Sequence, residues 1–553
     1  MPVEFLTDEQ AEAFGRFTGP PSRAELDRYF WLDDADLKRV GKHRGDHNRL
    51  GFSLQMTTVR YLGCFLPDPV AVPTPVVDFL AEQLGIADAS CIKQHAARQN
   101  TQWEHTAEIR AEFGYRNLGD PEATAQFQAF LAARAWTRLE PSKALFDAAA
   151  RWLRRRRVLL PGAHVLAKLV AEARTGADTR TWETIATAAA AADTELPSRL
   201  DRLLKVPADA RVSELERLRR GPVRISGREM TGALDRASEL DGLGAGAVDL
   251  AAIPANRIET LARDGLTAKA PVLASRTAAR RTATLVATVR SLTSTAVDDA
   301  LDLFGVLMAT RLIRQAERVT KDQKLAAFAR VARSATTLAA VVRAVTAAAD
   351  ARREGAGVGL DPVDAVAVMD DVAGGRERVN AAVDTIQEWA PDDADDDGLW
   401  RAELVKRFGM VRGFLELLAE AIPFGAGSPA GRQVLAAVRE LPGLLGRKKV
   451  REAEIRPELV TGSWQRLVHH NSDLPVGVVD RKAYVLCVLE ALWKALRNRE
   501  VFARDSKRWG DPHAKLLDGP AWDASRGGPD RPGRGRHHTR RPGRRPADLP
   551  APV

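Results

Sequence analysis

Apolar side chains recur at helical spacing in nearly every long segment of the chain. Trp400, Leu404, Phe408, Val411, Leu415 and Leu418 step by four, four, three, four and three residues. That spacing puts all six on one stripe of a helix with 3.6 residues per turn. Val485, Leu489, Leu492 and Leu496 repeat it, as do Leu301, Phe304, Met308 and Leu312, with Thr295 and Asp298 as an expected capping box before the last series. TIATAAAAAD and VVRAVTAAADARRE are rich in alanine, the strongest helix former. No stretch alternates long enough to argue for a sheet. The expected fold is all-α: tandem small helical modules of helix-turn-helix character, a larger helical scaffold and a disordered C-terminal tail.

Proline, glycine and acidic runs divide the helical pattern. PDPVAVPTP (67–75) reads as a stiff connection, ARTGADT (173–179) as a looser one, REGAGVGLDP (353–362) as a glycine break and PDDADDDG (391–398) as an acidic loop. Helical modules are expected over 1–66, 67–120 and 121–197, a scaffold over 198–390 and a further helical region over 391–524. No repeat of fixed period between 20 and 50 residues is found.

The charge is concentrated at one end. The formal net charge is +9, but residues 525–553 hold eight Arg and two Asp, leaving +3 for the rest. With five Gly, six Pro and few aliphatic side chains, the tail cannot bury a core and is expected to be disordered. Either it touches nucleic acid nonspecifically, or it reflects a shifted reading frame; the second reading is preferred and no function is given to it. Elsewhere, 45% hydrophobic and 28% charged residues fit a globular chain. Cys64, Cys91 and Cys487 are too scattered for a disulfide framework or a four-ligand zinc site, so a reducing, cytoplasmic setting is expected. The start MPVEFLTDEQ has no apolar stretch behind it, and neither secretion nor membrane spanning is expected.

The first module has the strongest local charge contrast: Lys38, Arg39, Lys42, Arg44, Arg49 and Arg60 against Asp46 alone. A short helix over 34–40, a turn with Gly41 and Gly45, and a longer helix capped by Asp46 and running to Tyr61 resemble a helix-turn-helix. Leu50, Leu54, Thr57 and Tyr61 would face the core, with Arg49, Ser53, Met56 and Arg60 on the neighbouring face. Either that face reaches bases and phosphates in a major groove or it is simply solvated. In the second module Thr101 and Glu104 read as a capping box, with Trp103, Thr106, Ile109 and Phe113 inward and Gln102 and His105 elsewhere. Arg98, Asn100 and Arg110 flank a helix N-terminus suited to phosphate. His105 alone reads as a packed or surface histidine. A third cluster, Arg154 to Arg157, wraps a helix, some side chains snorkelling and others free for phosphate.

Catalytic signatures are missing. GLGAGA (242–247) has no preceding strand and the wrong third spacing for a dinucleotide fingerprint, and no Walker, HExxH or GxSxG sequence occurs. The aspartates at 392, 393, 395, 396 and 397 read as a solvated loop rather than a magnesium site.

Three stretches, in order, resemble the Tn-three family of replicative bacterial transposases: NRLGFSLQMTTVRYLGCF (48–65), ARQNTQWEHTAEIRAEFGYR (97–116) and RRRVLLPG (155–162). REVFARDSKRWGDPHAKLLDG (499–519) adds to them. In the second, Arg98, Thr101, His105, Ile109, Arg110, Gly114, Tyr115 and Arg116 fall on the family's spacing. The resemblance implies helical DNA-binding domains that grip the terminal inverted repeats of a transposon, followed by a scaffold and a ribonuclease-H-like domain with three metal-binding carboxylates. That last domain is expected beyond Trp522, so this chain reads as truncated or frame-shifted, without catalytic or metal residues and without a cofactor of its own. Magnesium is expected only for the catalytic domain.

The candidate DNA contacts are Lys38, Lys42, Arg44, Asn48, Arg49, Ser53, Arg60, Arg98, Thr101, His105, Arg110, Arg116, Arg154 and Arg155. The implied partners are double-stranded DNA at the repeats and, as oligomer, a second copy or a full-length transposase, with no membrane; a nucleoid-associated location follows. The alternative is a helical scaffold that binds proteins.

Overall fold

The computed structural model describes residues 5–96, 99–356, 359–389, 396–470, 474–514, 516 and 522. Across them the chain is all-α apart from four strands of two or three residues. The tail 525–553 lies outside the described residues. The chain divides into two compact units, Met1–Leu303 and Phe304–Val553, and the division falls within the segment expected as one scaffold.

Unit 1 begins with helices whose ends are fixed by short polar caps and glycines. Helix α1 (Asp34–Val40) starts at Asp33, whose side chain accepts from the Asp36 N–H at 2.8 Å. Helix α2 (Asp46–Leu62) is bounded by Gly45 (φ 83°) and Gly63 (φ 84°), a backbone region that favours glycine. Gly45, not Asp46, is therefore the cap, and Asp46 sits in the first turn. The stiff connection then leads into α3 (Thr74–Leu84), with α4 (Ile92–Ala96) and α5 (Gln99–Phe113) after it.

Leu26, Phe30, Leu50, Phe52, Leu54, Leu80 and Ile109 belong to one core. The segments expected as separate modules, 1–66 and 67–120, share it. The reason lies in α2, whose middle is buried on every side from Leu50 to Val59, so one module alone could not cover it.

A second core joins α6 (Pro121–Thr137), α7 (Ser142–Arg155) and α8 (Ala163–Ala192) through Phe127, Leu131, Phe146, Leu153, Leu166 and Val170. The loose connection expected at 173–179 is instead the middle of α8. Gly176 there costs about 1 kcal/mol against alanine, while Val170, Ala177, Thr181 and Ile185 stay buried along the same helix and outweigh it. Helices α9 (Gly227–Gly242), α10 (Ala255–Thr267) and α11 (Ala278–Val306) follow. The capping box expected at Thr295 does not form. Helix α11 runs through it, and the Thr295 hydroxyl donates to the Ser291 carbonyl at 2.9 Å, a bond that competes with capping.

Unit 2 pairs α12 (Arg314–Ala356) with α13 (Pro362–Ala373) and α14 (Arg376–Trp389) around Val341, Ala373 and Val379. Of the expected acidic loop, Asp396 and Asp397 open α15 (Asp396–Lys406), where acids suit the positive end of the helix dipole. Helices α16 (Pro429–Leu445), α17 (Ser463–His469) and α18 (Arg481–Arg497) complete the unit. Strands β1 (Phe424–Ala426) and β4 (Val501–Ala503) pair antiparallel, as do β2 (Val450–Arg451) and β3 (Val478–Val479). By length and composition alone, the helical span Ala278–Gly355 falls in the range that can cross a membrane, with an 18-residue stretch of mean hydropathy 1.4. That signal is weak by itself.

Candidate nucleic-acid interface

Helix α2 does not present the face expected of a recognition helix. Ser53 is fully buried, and its hydroxyl donates to the Arg49 carbonyl at 2.8 Å; Met56 is buried as well. Ser53 therefore cannot reach a base edge in this fold. The two arginines of that face already have carboxylate partners. Arg60 donates to Asp36, a buried carboxylate, at 2.7 Å and to the Trp31 carbonyl at 3.3 Å. Arg49 pairs with Asp46 one turn away.

Helix α5 neutralises much of what remains. Its Glu104, Glu108 and Glu112 recur at intervals of four and so share one stripe. Glu112 lies 3.4 Å from Arg39 and 3.8 Å from Lys42, and Glu108 lies 3.6 Å from His43. Lys38 and Arg44 are exposed and have no carboxylate partner among the described residues; Asn48 turns its amide back to the Arg44 carbonyl at 3.0 Å.

The orientation of α5 also differs from expectation. His105 and Ile109 are buried, while Trp103 is 72% exposed. The helix begins at Gln99, which puts Thr101 in its first turn rather than at the cap. Arg98 lies outside the described residues. Arg110 is half-buried, and its Nε has no hydrogen-bond partner.

What turns His105 inward is a cluster of rings. His43 and His105 pack on Phe52 and His95 stacks on His105, with centroids 4.6 Å apart for His43 and His105 and 5.1 Å for His95 and His105. Gly51 makes room, because a Cβ there would run into the His95 ring. Nitrogens on all three imidazoles lack partners. Burial, reinforced by the positive forms of His43 and His95, pushes His105 down to about 3. Burial likewise lowers His95 and, against the pull of Glu108, His43. Stacked rings do not aim their nitrogens at one point, and among the described residues no group of three His, Cys, Asp or Glu is placed to hold a metal ion. Of the acidic run, Asp392, Asp393 and Asp395 lie outside the described residues, and Asp397 is 3.2 Å from Arg401 in an ion pair.

A further group of open basic residues lies at the C-terminal turn of α7. Arg151, Arg154, Arg155 and Arg156 are exposed, and none has a carboxylate within 4.0 Å among the described residues. Arg154 crosses Gly63, where a Cβ would meet its Cγ at 2.7 Å. Arg156 lies over the Trp152 ring, 4.8 Å from its centroid, and donates to Gln126 at 3.3 Å. The following turn is held firmly. Arg157 takes a left-handed φ of 53°, at a cost of about 1–2 kcal/mol. Its carbonyl accepts from the Arg116 N–H at 2.9 Å, the Arg116 carbonyl accepts from Leu159, and the Gly63 carbonyl accepts from Leu160, each at 2.9 Å. Arg116 is thereby brought beside the cluster, though its own guanidinium leans toward Asp120 and Glu122 at 3.8 and 3.4 Å. A positive group at a helix C-terminus also meets the favourable end of the dipole.

Sequence reasoning missed His43, His95 and Arg151. The one available signal was Gly51, since a glycine inside an apolar helix often marks a close approach.

Comparison with known proteins places this geometry in context. Residues 5–173 match a family described as a domain of unknown function, DUF4158. The transposase for transposon gamma-delta of Escherichia coli (strain K12) is 35% identical, over 95% of this chain and 50% of its own length. The transposase for transposon Tn4556 of Streptomyces fradiae is 47% identical over 58% of this chain and 36% of its own length. The transposase for transposon Tn501 of Pseudomonas aeruginosa is 28% identical over 90% of this chain. The chain spans about half the length, or less, of these relatives. Over nearly all of its length it is similar to transposases of the Tn-three family.

Proposed function

We propose that the chain acts in DNA transposition by binding duplex DNA at the terminal inverted repeats of a transposon. The observation that carries this reading is the un-neutralised arginine cluster at the end of α7 on a chain related to transposases. A row of guanidiniums without acid partners holds phosphates by releasing counterions, and fixes the protein's orientation on the duplex. Lys38 and Arg44 extend the same kind of contact. Arg60 and Ser53 are not assigned to DNA, because they serve the interior, nor is Arg49, which Asp46 neutralises at the surface. Strand cutting is not assigned to the described residues, and nothing observed favours a purely protein-binding scaffold.

A mobility-shift assay with two duplexes tests the proposal: one carries the inverted repeat flanking the gene, the other the same bases scrambled. The repeat is expected to bind on the order of a thousandfold more tightly, the lower range for specific recognition. Equal affinity for both would leave only nonspecific binding and would remove the repeat from the account.

A further inference from the structure

Beside the histidine cluster, a cavity of about 380 Å³ opens between α2, the 65–69 connection and α5. Its walls combine three kinds of surface. Phe65, Pro67 and Pro69 are apolar, and Trp103 stands at the mouth with most of its ring in solvent. Two polar atoms in the lining are buried without a hydrogen-bond partner: the hydroxyl of Thr58, a residue only 3% exposed, and Nε of Arg110. Leaving a buried donor unmade costs about 1–3 kcal/mol, so the cavity is built for an occupant that supplies acceptors.

Resting on the DNA-binding reading above, we propose that this cavity takes a single unpaired nucleobase that carries a ring carbonyl. The base would stack on the Trp103 indole and accept from the Thr58 hydroxyl and the Arg110 N–H. Stacking on an aromatic side chain with hydrogen bonds to the base edge is the usual way an extruded base is held. A phenylalanine side chain from a protein partner fits the apolar walls less well, because it leaves both donors unmatched. The α5 stripe that forms this wall, Gln102, Trp103, Thr106 and Arg110, is separate from the acidic stripe committed to Arg39, Lys42 and His43. The base has two potential sources, one flipped out of a duplex or one in a separated strand.

Fluorescence anisotropy with three probes separates the outcomes: a fully paired duplex, the same duplex with one unpaired cytosine, and an oligo(dC) strand. The unpaired cytosine is expected to raise affinity roughly tenfold over the paired duplex. Trp103→Ala and Thr58→Val should each reduce that preference, with binding of the paired duplex unchanged. Trp103 is exposed, so its removal leaves the fold intact; the melting temperature of Thr58→Val serves as the check for the buried site. Oligo(dC) that competes as well as the bulged duplex assigns the cavity to a separated strand, and failure to compete assigns it to a flipped base. Paired-duplex binding without a preference for the unpaired base, or a preference that survives both substitutions, overturns the cavity proposal alone. Competition by a phenylalanine peptide but not by oligo(dC) also overturns it, in favour of a protein partner. No binding to any DNA overturns the functional reading and the cavity proposal together.

Discussion

Unit 1 is expected to lose stability steeply as the pH falls from 7 to 5, although its surface carboxylates still carry their charge there. His105 titrates at about 3 in the folded chain, far below the value of about 6.5 for an exposed imidazole. Above about pH 6.5 the group is neutral in both states and has no effect. Below it the unfolded chain takes up a proton that the folded chain refuses, so stability declines until about pH 3. Each pH unit in that window costs about 1.4 kcal/mol for His105, or about 2 kcal/mol at pH 5. His95 and His43 are displaced in the same direction and steepen the loss. Against a typical total of about 5–15 kcal/mol, that is a large fraction. Urea unfolding followed at several pH values measures it, and His105→Phe should flatten the slope by about one proton. A stability that is level between pH 7 and 5, or a variant parallel to the parent chain, would contradict the buried neutral cluster.

Unit 2 depends in a comparable way on Glu490, a carboxylate 4% exposed on α18. It accepts from Trp464 Nε1 at 2.8 Å, from Lys494 at 2.7 Å and from Arg401 at 3.3 Å. Burial pushes its pKa up, but the donors from Lys494, Arg401 and Trp464 outweigh burial and hold it below the ordinary carboxylate range. Glu490→Ala leaves the Trp464 N–H without this acceptor and the buried Arg401 charge with only the exposed Asp397 as its carboxylate partner, and is expected to cost about 3–5 kcal/mol. Replacing the pair, Glu490→Leu with Arg401→Met, should recover much of the loss, because the desolvation of both charges disappears with their attraction. Thermal unfolding of the three chains decides the matter. A single variant as stable as the parent chain would mean that the network contributes nothing net.

How much of this was legible in the sequence varies with the range of the cause. The helices at 34–40 and 46–62 were readable because their limits are local: a capping aspartate and two glycines. The all-α class followed from spacing alone. Local reading failed where a distant segment decides. Trp103 reads as core-facing by its stripe and His105 as lying elsewhere, yet Gly51 in another helix opens the space for the His95 ring, on which His105 stacks. Ser53 reads as exposed on an amphipathic helix, but α3 and α5 cover the second face of α2. Arg60 reads as a free cation, while Asp36, 24 residues earlier, claims it. The cluster at 154–157 was legible because no acid stands near it in sequence, and among the described residues the fold brings no carboxylate within 4.0 Å of Arg154, Arg155 or Arg156.

The most direct test of the account is the salt dependence of DNA binding by the full chain and by one variant with Arg151, Arg154, Arg155 and Arg156 all replaced by Gln. Each phosphate contact contributes about 0.9 to the slope of log affinity against log salt concentration. With four contacts removed, the slope should fall by about 3.6 between about 50 and 200 mM salt, and affinity at low salt should drop with it. A variant that keeps both the slope and the affinity of the parent chain would contradict the assignment of this surface to DNA.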